Sequence, residues 1–230
     1  MKIITLIISM IISTIGFAQS QISGVYSIDR FDENVRCNIY FFKSGNYYID
    51  LSETITSDIV ESFILSYGKF SLTNNEVALI DNVHNYKMQL VVNNKTLIVK
   101  QAFGFLKNKR FVFYDSYTGR ELKFISTFKD ALTLQEERKS YKRLRKTLIP
   151  LNFGVFEDDQ GFKLNIQKNN MYKLEFKNIL LSEGEWRRDN NVLELKDLHL
   201  KHSFYVLIYY KMLISKLLPG DYKGCSLIKK

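Results

Sequence analysis

Within 230 residues the chain carries 33 Lys and Arg against 24 Asp and Glu, for a net charge of +9, with 14% aromatic residues, two prolines and two cysteines. That size suits one large domain or two small ones, and so basic a balance favours anionic neighbours such as lipid headgroups, acidic polysaccharide or nucleic acid. It bears on association, not on fold, and the export argued next sets nucleic acid aside.

The first element is a targeting segment. Met1-Lys2 is a short positive start, Ile3 to Ile15 is an apolar run, and Gly16-Phe17-Ala18 places small residues before a cleavage point. Residues 1–18 therefore read as a signal peptide, and the run is short for a spanning helix, which needs roughly 20 apolar residues. No Cys sits just after the cleavage point at Ala18, which argues against a lipid anchor there. The expected location is the periplasm or the cell surface, with the chain soluble once the signal is removed.

Residues 19–127 form the first β-rich unit. Asn38 to Phe42, the turn at Lys43-Ser44-Gly45-Asn46 and Tyr47 to Leu51 read as a hairpin. An insertion over Glu53 to Glu61 precedes Gly68-Lys69-Phe70, a turn at Thr73-Asn74-Asn75, and Val77 to Asp81. Tyr86 to Val92 and Thr96 to Lys100 follow, and then a hairpin of Arg110 to Tyr114 with Glu121 to Ile125.

Residues 128–149 read as a basic helical linker. Asp130 to Thr147 lacks Gly and Pro, Leu134, Tyr141, Leu144 and Leu148 make a narrow stripe, and Pro150 ends it. Its cations Arg138, Lys142, Arg143, Arg145 and Lys146 are candidates for contact with an anionic surface. The plainer alternative is a solvated connector.

Residues 150–230 form the second unit. Leu164 and Ile166 lead through Lys168-Asn169-Asn170 to Tyr172, Leu174 and Phe176, which alternate with Lys173 and Glu175. Period-two alternation buries one face of a strand. Ser66–Lys107 and Ser182–Lys223 align without a gap at an offset of 116, and twelve of the 42 pairs are identical. They include Ser66/Ser182, Gly68/Gly184, Asn74/Asn190, Asp81/Asp197 and Lys95/Lys211. A duplicated unit follows, each copy a meander of about six or seven short antiparallel strands. The shared Asn residues suit tight turns, and the shared Gly suits a bulge or a close packing point.

The openings Gly24-Val25-Tyr26 and Gly154-Val155-Phe156, the strand Gly184-Glu185-Trp186, the run Asn190-Asn191-Val192-Leu193-Glu194-Leu195 and the weaker twin Gly68-Lys69-Phe70 resemble the bacterial lipocalin-like domains. The resemblance covers most of both units. It implies a mainly β chain of two tandem lipocalin-like barrels or half-barrels, joined by one α-helix. It also implies a small apolar ligand at a barrel mouth, for which Tyr47, Tyr48, Trp186, Tyr209 and Tyr210 are the candidate lining.

Other chemistry is thin. His199, His202 and His84 read as surface and turn residues, since positions three apart on a strand face opposite ways. Ser66 and Ser182 lie in no Gly-x-Ser-x-Gly motif and read as structural. Asp50, Asp81, Glu175 and Asp197 read as solvent-facing strand positions or turn ends. No catalytic residue, metal ligand or cofactor is expected. Export permits a disulfide between Cys37 and Cys225, and two separate buried thiols are the alternative. The functional expectation is a non-enzymatic envelope protein binding a small apolar ligand, or an envelope protein, glycan or anionic lipid surface. The alternatives are a subunit of an outer-membrane assembly or, less favoured, a carboxylate-dependent envelope enzyme.

Overall fold

The structure, a computed structural model, describes residues 22–28, 35–56, 59–116, 148–215, 218–220 and 224–230. The signal peptide, the linker helix with its five cations and the strand Glu121 to Ile125 lie outside the described residues. By its internal contacts the chain divides into two units. One holds Met1–Asn82, Lys87–Lys100 and Asn108–Leu122; the other holds Val83–Tyr86, Gln101–Lys107 and Lys123–Lys230. By these contacts two short segments, 83–86 and 101–107, group with the second unit.

The first closed barrel runs β1 (Gly24–Ile28), β2 (Val35–Phe41), β3 (Asn46–Thr56), β4 (Ile59–Thr73), β5 (Glu76–Asp81), β6 (Lys87–Asn93), β7 (Thr96–Gln101) and β8 (Arg110–Asp115), each beside the next, with β8 paired to β1. The second runs β9 (Gly154–Glu157), β10 (Phe162–Ile166), β11 (Met171–Phe176), β12 (Ile179–Asp189), β13 (Val192–Asp197), β14 (Ser203–Tyr209), β15 (Met212–Ser215) and β16 (Cys225–Lys229), closed by β16 on β9. Each copy thus has eight strands, not six or seven, and is a full barrel, not a half-barrel. The short strands β1, β9 and β16 and the strand β8 complete the rings. Closure leaves no sheet edge unpaired. Among the described residues the one helical element is a 3-10 turn at Gly104–Leu106. Both prolines, Pro150 and Pro219, lie outside strands, as their missing N–H requires.

The duplication reaches the irregularities. In β4 the register shifts between the pairs Ile49–Ser66 and Asp50–Ile64, which leaves Leu65 as the extra residue. In β12 it shifts between Leu174–Ser182 and Glu175–Leu180, which leaves Leu181. Both leucines are fully buried. The insertion after Leu51 lengthens the β3–β4 hairpin, with Thr56 pairing with Ile59. Asn74, Asn75 and Asn190 adopt left-handed backbone angles at their turns, for which Asn is suited. Gly68 and Gly184 are close-packing points. A Cβ on either would lie 2.0 Å from a neighbouring carbonyl oxygen, that of Ile80 or of Lys196.

Candidate functional site

An eight-stranded barrel is just wide enough to be filled by its own side chains or to hold one small ligand. In the first barrel Tyr26, Ile39, Phe41, Tyr47, Ile49, Phe70, Leu79, Leu97 and Phe111 are buried. Phe41 meets Phe70 edge-to-face at 4.9 Å, and Tyr26 meets Phe113 likewise at 5.4 Å. In the second, Phe162 and Phe176 lie 5.0 Å apart among buried Leu164, Tyr172, Leu174, Leu195 and Phe204. Both interiors are packed with large side chains.

Each interior also holds one polar chain. In the first barrel the Tyr47 hydroxyl lies 2.8 Å from Ser66 Oγ, which donates to Asp81 Oδ2 at 2.8 Å. Ser66 has a single proton and Asp81 takes it, so Tyr47 is the donor to Ser66. In the second, Tyr172 lies 2.6 Å from Ser182 Oγ, which donates to Asp197. The other Asp197 oxygen accepts the backbone N–H of His199 at 2.7 Å and that of Leu200. All six side chains are buried. Burial pushes Tyr47 and Tyr172 well above the ordinary tyrosine value, with the aspartate charge adding to the rise. Burial also raises Asp197, against the hydrogen bonds that favour its charge. Each Tyr–Ser–Asp chain is a clamp that ties β3, β4 and β5 together in the first barrel and β11, β12 and β13 in the second.

The expectation that Asp50, Asp81 and Asp197 face solvent is therefore overturned. For Asp81 and Asp197 the phase was available: Val77, Leu79 and Asp81 share one side of β5, as Leu193, Leu195 and Asp197 do of β13. Asp50 differs. It lies opposite the phase of Tyr47, Ile49 and Leu51, on the outer side of β3. There it accepts from Asn38 Nδ2 at 3.0 Å and Ser52 Oγ at 3.1 Å, and Asn38 in turn accepts from Ser27. Tyr40 and Tyr48 stack beside it with ring centres 4.1 Å apart. Burial raises the Asp50 pKa and, with the Asp50 charge, pushes Tyr40 up to about 12.

The histidines also depart from expectation. His84 is fully buried, with Nε2 2.9 Å from the Leu218 carbonyl and its ring stacked on Tyr86. A carbonyl only accepts, so Nε2 carries the proton. His202 packs edge-on to Phe204 and Tyr86 within the second unit, and His199 Nε2 lies 3.0 Å from Glu183. Among the described residues no three side chains are grouped to hold a metal ion.

Of the candidate ligand lining, Tyr47 and Tyr48 lie on opposite sides of β3, and Trp186, Tyr209 and Tyr210 lie toward one end of the second barrel. Tyr47 belongs to the first barrel's interior clamp, and Tyr48 lies on the outer side, stacked on Tyr40. Trp186 plugs one end of the second barrel, where Nε1 donates to the Gln167 carbonyl at 2.9 Å and Phe153 packs on its ring. Tyr209 and Tyr210 are exposed and touch edge-to-face at 5.1 Å. Cys37 on β2 and Cys225 on β16 are both buried, each within its own barrel. On the first barrel's outer side, Ser71, Thr73, Glu76, Lys87, Gln89 and Lys100 line a shallow groove of about 210 Å³ over the short side chain of Ala78.

No family model matches the sequence, and no curated protein matches it. Among solved structures there is a match to the crystal structure of the Cpx pathway activator NlpE from Escherichia coli, at 10% identity and a TM-score of 0.25, covering 90% of this chain and 92% of that one. So loose a superposition says nothing about what this chain does.

Proposed function

We propose that this chain is an exported, non-enzymatic binding protein of the cell envelope that recognises its partner through outer barrel surfaces. The observation that carries this reading is the packing of large buried side chains against one another among the described residues of each barrel. A small apolar ligand would have to displace side chains such as Tyr47, Phe41 and Phe70 that pack on one another and on the Ser66–Asp81 clamp. Binding sites for such ligands are ordinarily pre-formed cavities. The export part rests on the pattern of residues 1–18, and the anionic character expected of the partner rests on the net charge of +9.

Native mass spectrometry of the protein recovered from its own cells, compared with its denatured mass, tests both parts. The expected result is an apo mass under native conditions and a denatured mass that begins after Ala18. A small apolar molecule lost on denaturation would overturn the surface reading. An unprocessed N-terminus would overturn export.

A further inference from the structure

One end of the second barrel gathers an unusual set of side chains. The turns of β10–β11, β12–β13 and β14–β15 all lie there, because Trp186 N–H bonds Asn170 O at 2.8 Å and Ile208 N–H bonds Asn191 O at 2.7 Å. The last residues of β16 reach the same end, where Lys229 N–H bonds Lys211 O at 3.2 Å and Lys230 N–H bonds Val155 O at 3.0 Å. Leu148 joins them, since its neighbour Ile149 is held to the β12–β13 turn by a 2.8 Å bond from its N–H to Asn191 Oδ1. This rim exposes Leu148, Phe153, Tyr209 and Tyr210, with Ile228 just behind. Lys168, Lys211, Lys229 and Lys230 are exposed between them. Of the acids nearby, Asp189 accepts from Asn190, and Glu157 is paired with Lys163 and Lys230.

Comparison of the two copies sharpens the point. Tyr210 aligns with Asn94, and both have φ of +55° in the same turn. Asn tolerates that backbone, whereas a bulky residue there is strained. The pair Asn93-Asn94 of the first copy is Tyr209-Tyr210 in the second, while the following Lys95/Lys211 is shared. Turn geometry therefore does not account for Tyr210, which is 61% exposed. Strain of this kind at a surface points to a use.

We propose that this rim docks on an anionic lipid surface, with Tyr209, Tyr210, Phe153 and Leu148 in the headgroup layer and Lys168, Lys211, Lys229 and Lys230 beside the phosphates. Tyrosine is at home where one end of a ring is apolar and the other wet. Lysine near an anionic leaflet strengthens binding, whereas lysine is depleted from protein–protein interfaces. A lysine-interleaved aromatic ring therefore fits lipid better than a protein partner. The inference rests on the exported, surface-recognition reading.

The test is co-sedimentation of the protein, as its own cells process it, with vesicles of equal parts phosphatidylglycerol and phosphatidylcholine, and with phosphatidylcholine alone. The expected result is salt-sensitive binding to the first and much weaker binding to the second. Lys211→Glu weakens it by about fivefold or more, the factor one surface lysine contributes. Tyr210→Asn, which installs the first copy's residue, weakens binding several-fold while its Tm stays equal or rises, so loss of fold is not the cause. Lys95→Glu, at the equivalent position of the first barrel, leaves binding unchanged. Equal binding to both vesicles, no binding at all, or equal weakening by Lys95→Glu and Lys211→Glu overturns the proposal. The denatured mass separates the two readings: a processed chain that ignores vesicles sinks this inference alone, and an unprocessed chain sinks export.

Discussion

The Tyr47 hydroxyl sits 2.8 Å from Ser66 Oγ, and its counterpart Tyr172 repeats the contact with Ser182 although the two pairs are spaced differently along the chain. The serines and aspartates repeat at 116, while the tyrosines repeat at 125 because the first copy carries the insertion after Leu51. Conservation of the contact across that shift marks it as a part of the barrel rather than a by-product of sequence likeness. Ser66→Ala takes one hydrogen bond from both the buried Tyr47 hydroxyl and the Asp81 carboxylate, and is expected to cost about 2–3 kcal/mol. Tyr47→Phe removes one donor and leaves Ser66 on Asp81, for about 1 kcal/mol. Urea unfolding of both variants checks the order; a costlier Tyr47→Phe would show that the serine is not the centre of the clamp.

Gly68 and Gly184 predict a larger loss. An added Cβ would meet backbone oxygen at 2.0 Å, and backbone within a closed ladder cannot yield as a flexible side chain does. Gly68→Ala and Gly184→Ala are each expected to cost more than about 3 kcal/mol. Either variant retaining its wild-type urea midpoint would mean that the β4–β5 or β12–β13 approach is looser than described.

The buried carboxylates Asp50 and Asp197 set a pH dependence opposite in sign to that of a salt-bridged acid. Burial raises their folded-state pKa above the ordinary 3.8. The folded chain then holds the proton more tightly than the unfolded one, so this contribution to stability is full below 3.8 and is lost as pH rises through the raised value. Relative to Asp197→Asn or Asp50→Asn, the wild type should gain in Tm as pH falls from neutral toward 3.8. A difference that stays flat or reverses across that range contradicts the assignment.

Cys37 predicts inertness. Its thiol is fully buried, and burial together with the nearby Asp50 charge pushes its pKa well above the ordinary value. The thiolate is the reactive form, so an alkylating reagent should leave Cys37 unmodified in the native protein and modify both Cys37 and Cys225 once the chain is denatured. A denatured chain that takes up reagent only after reduction would instead establish a bridge.

The barrel strands were legible in the sequence because a wall with one dry face imposes period two, and because a duplicated unit repeats its turns. Val77-Leu79 and Leu193-Leu195 gave the inner phase of their strands, and continuing that phase by one step places Asp81 and Asp197 inside. Reading them as exposed put residue type before periodicity. Asp50 was not recoverable in that way. It lies out of phase with its apolar neighbours, and its burial comes from Asn38, Ser52, Tyr40 and Tyr48 on the outer side of the sheet. His84 likewise belongs to a cluster with Tyr86, His202 and Phe204, whose members are far apart in sequence.

By itself, then, the sequence determined the β class, the two copies, the turn asparagines and the close-packing glycines, all properties of local backbone preference and of alternation along a strand. Ring closure, the packing of side chains inside each barrel, the placing of Tyr47 and Tyr48 on opposite sides of their strand, and the assembly of the rim around Tyr210 were decided only in three dimensions. Those depend on which strand ends meet and on the volume left inside, and neither quantity is carried by the neighbours of a residue along the chain.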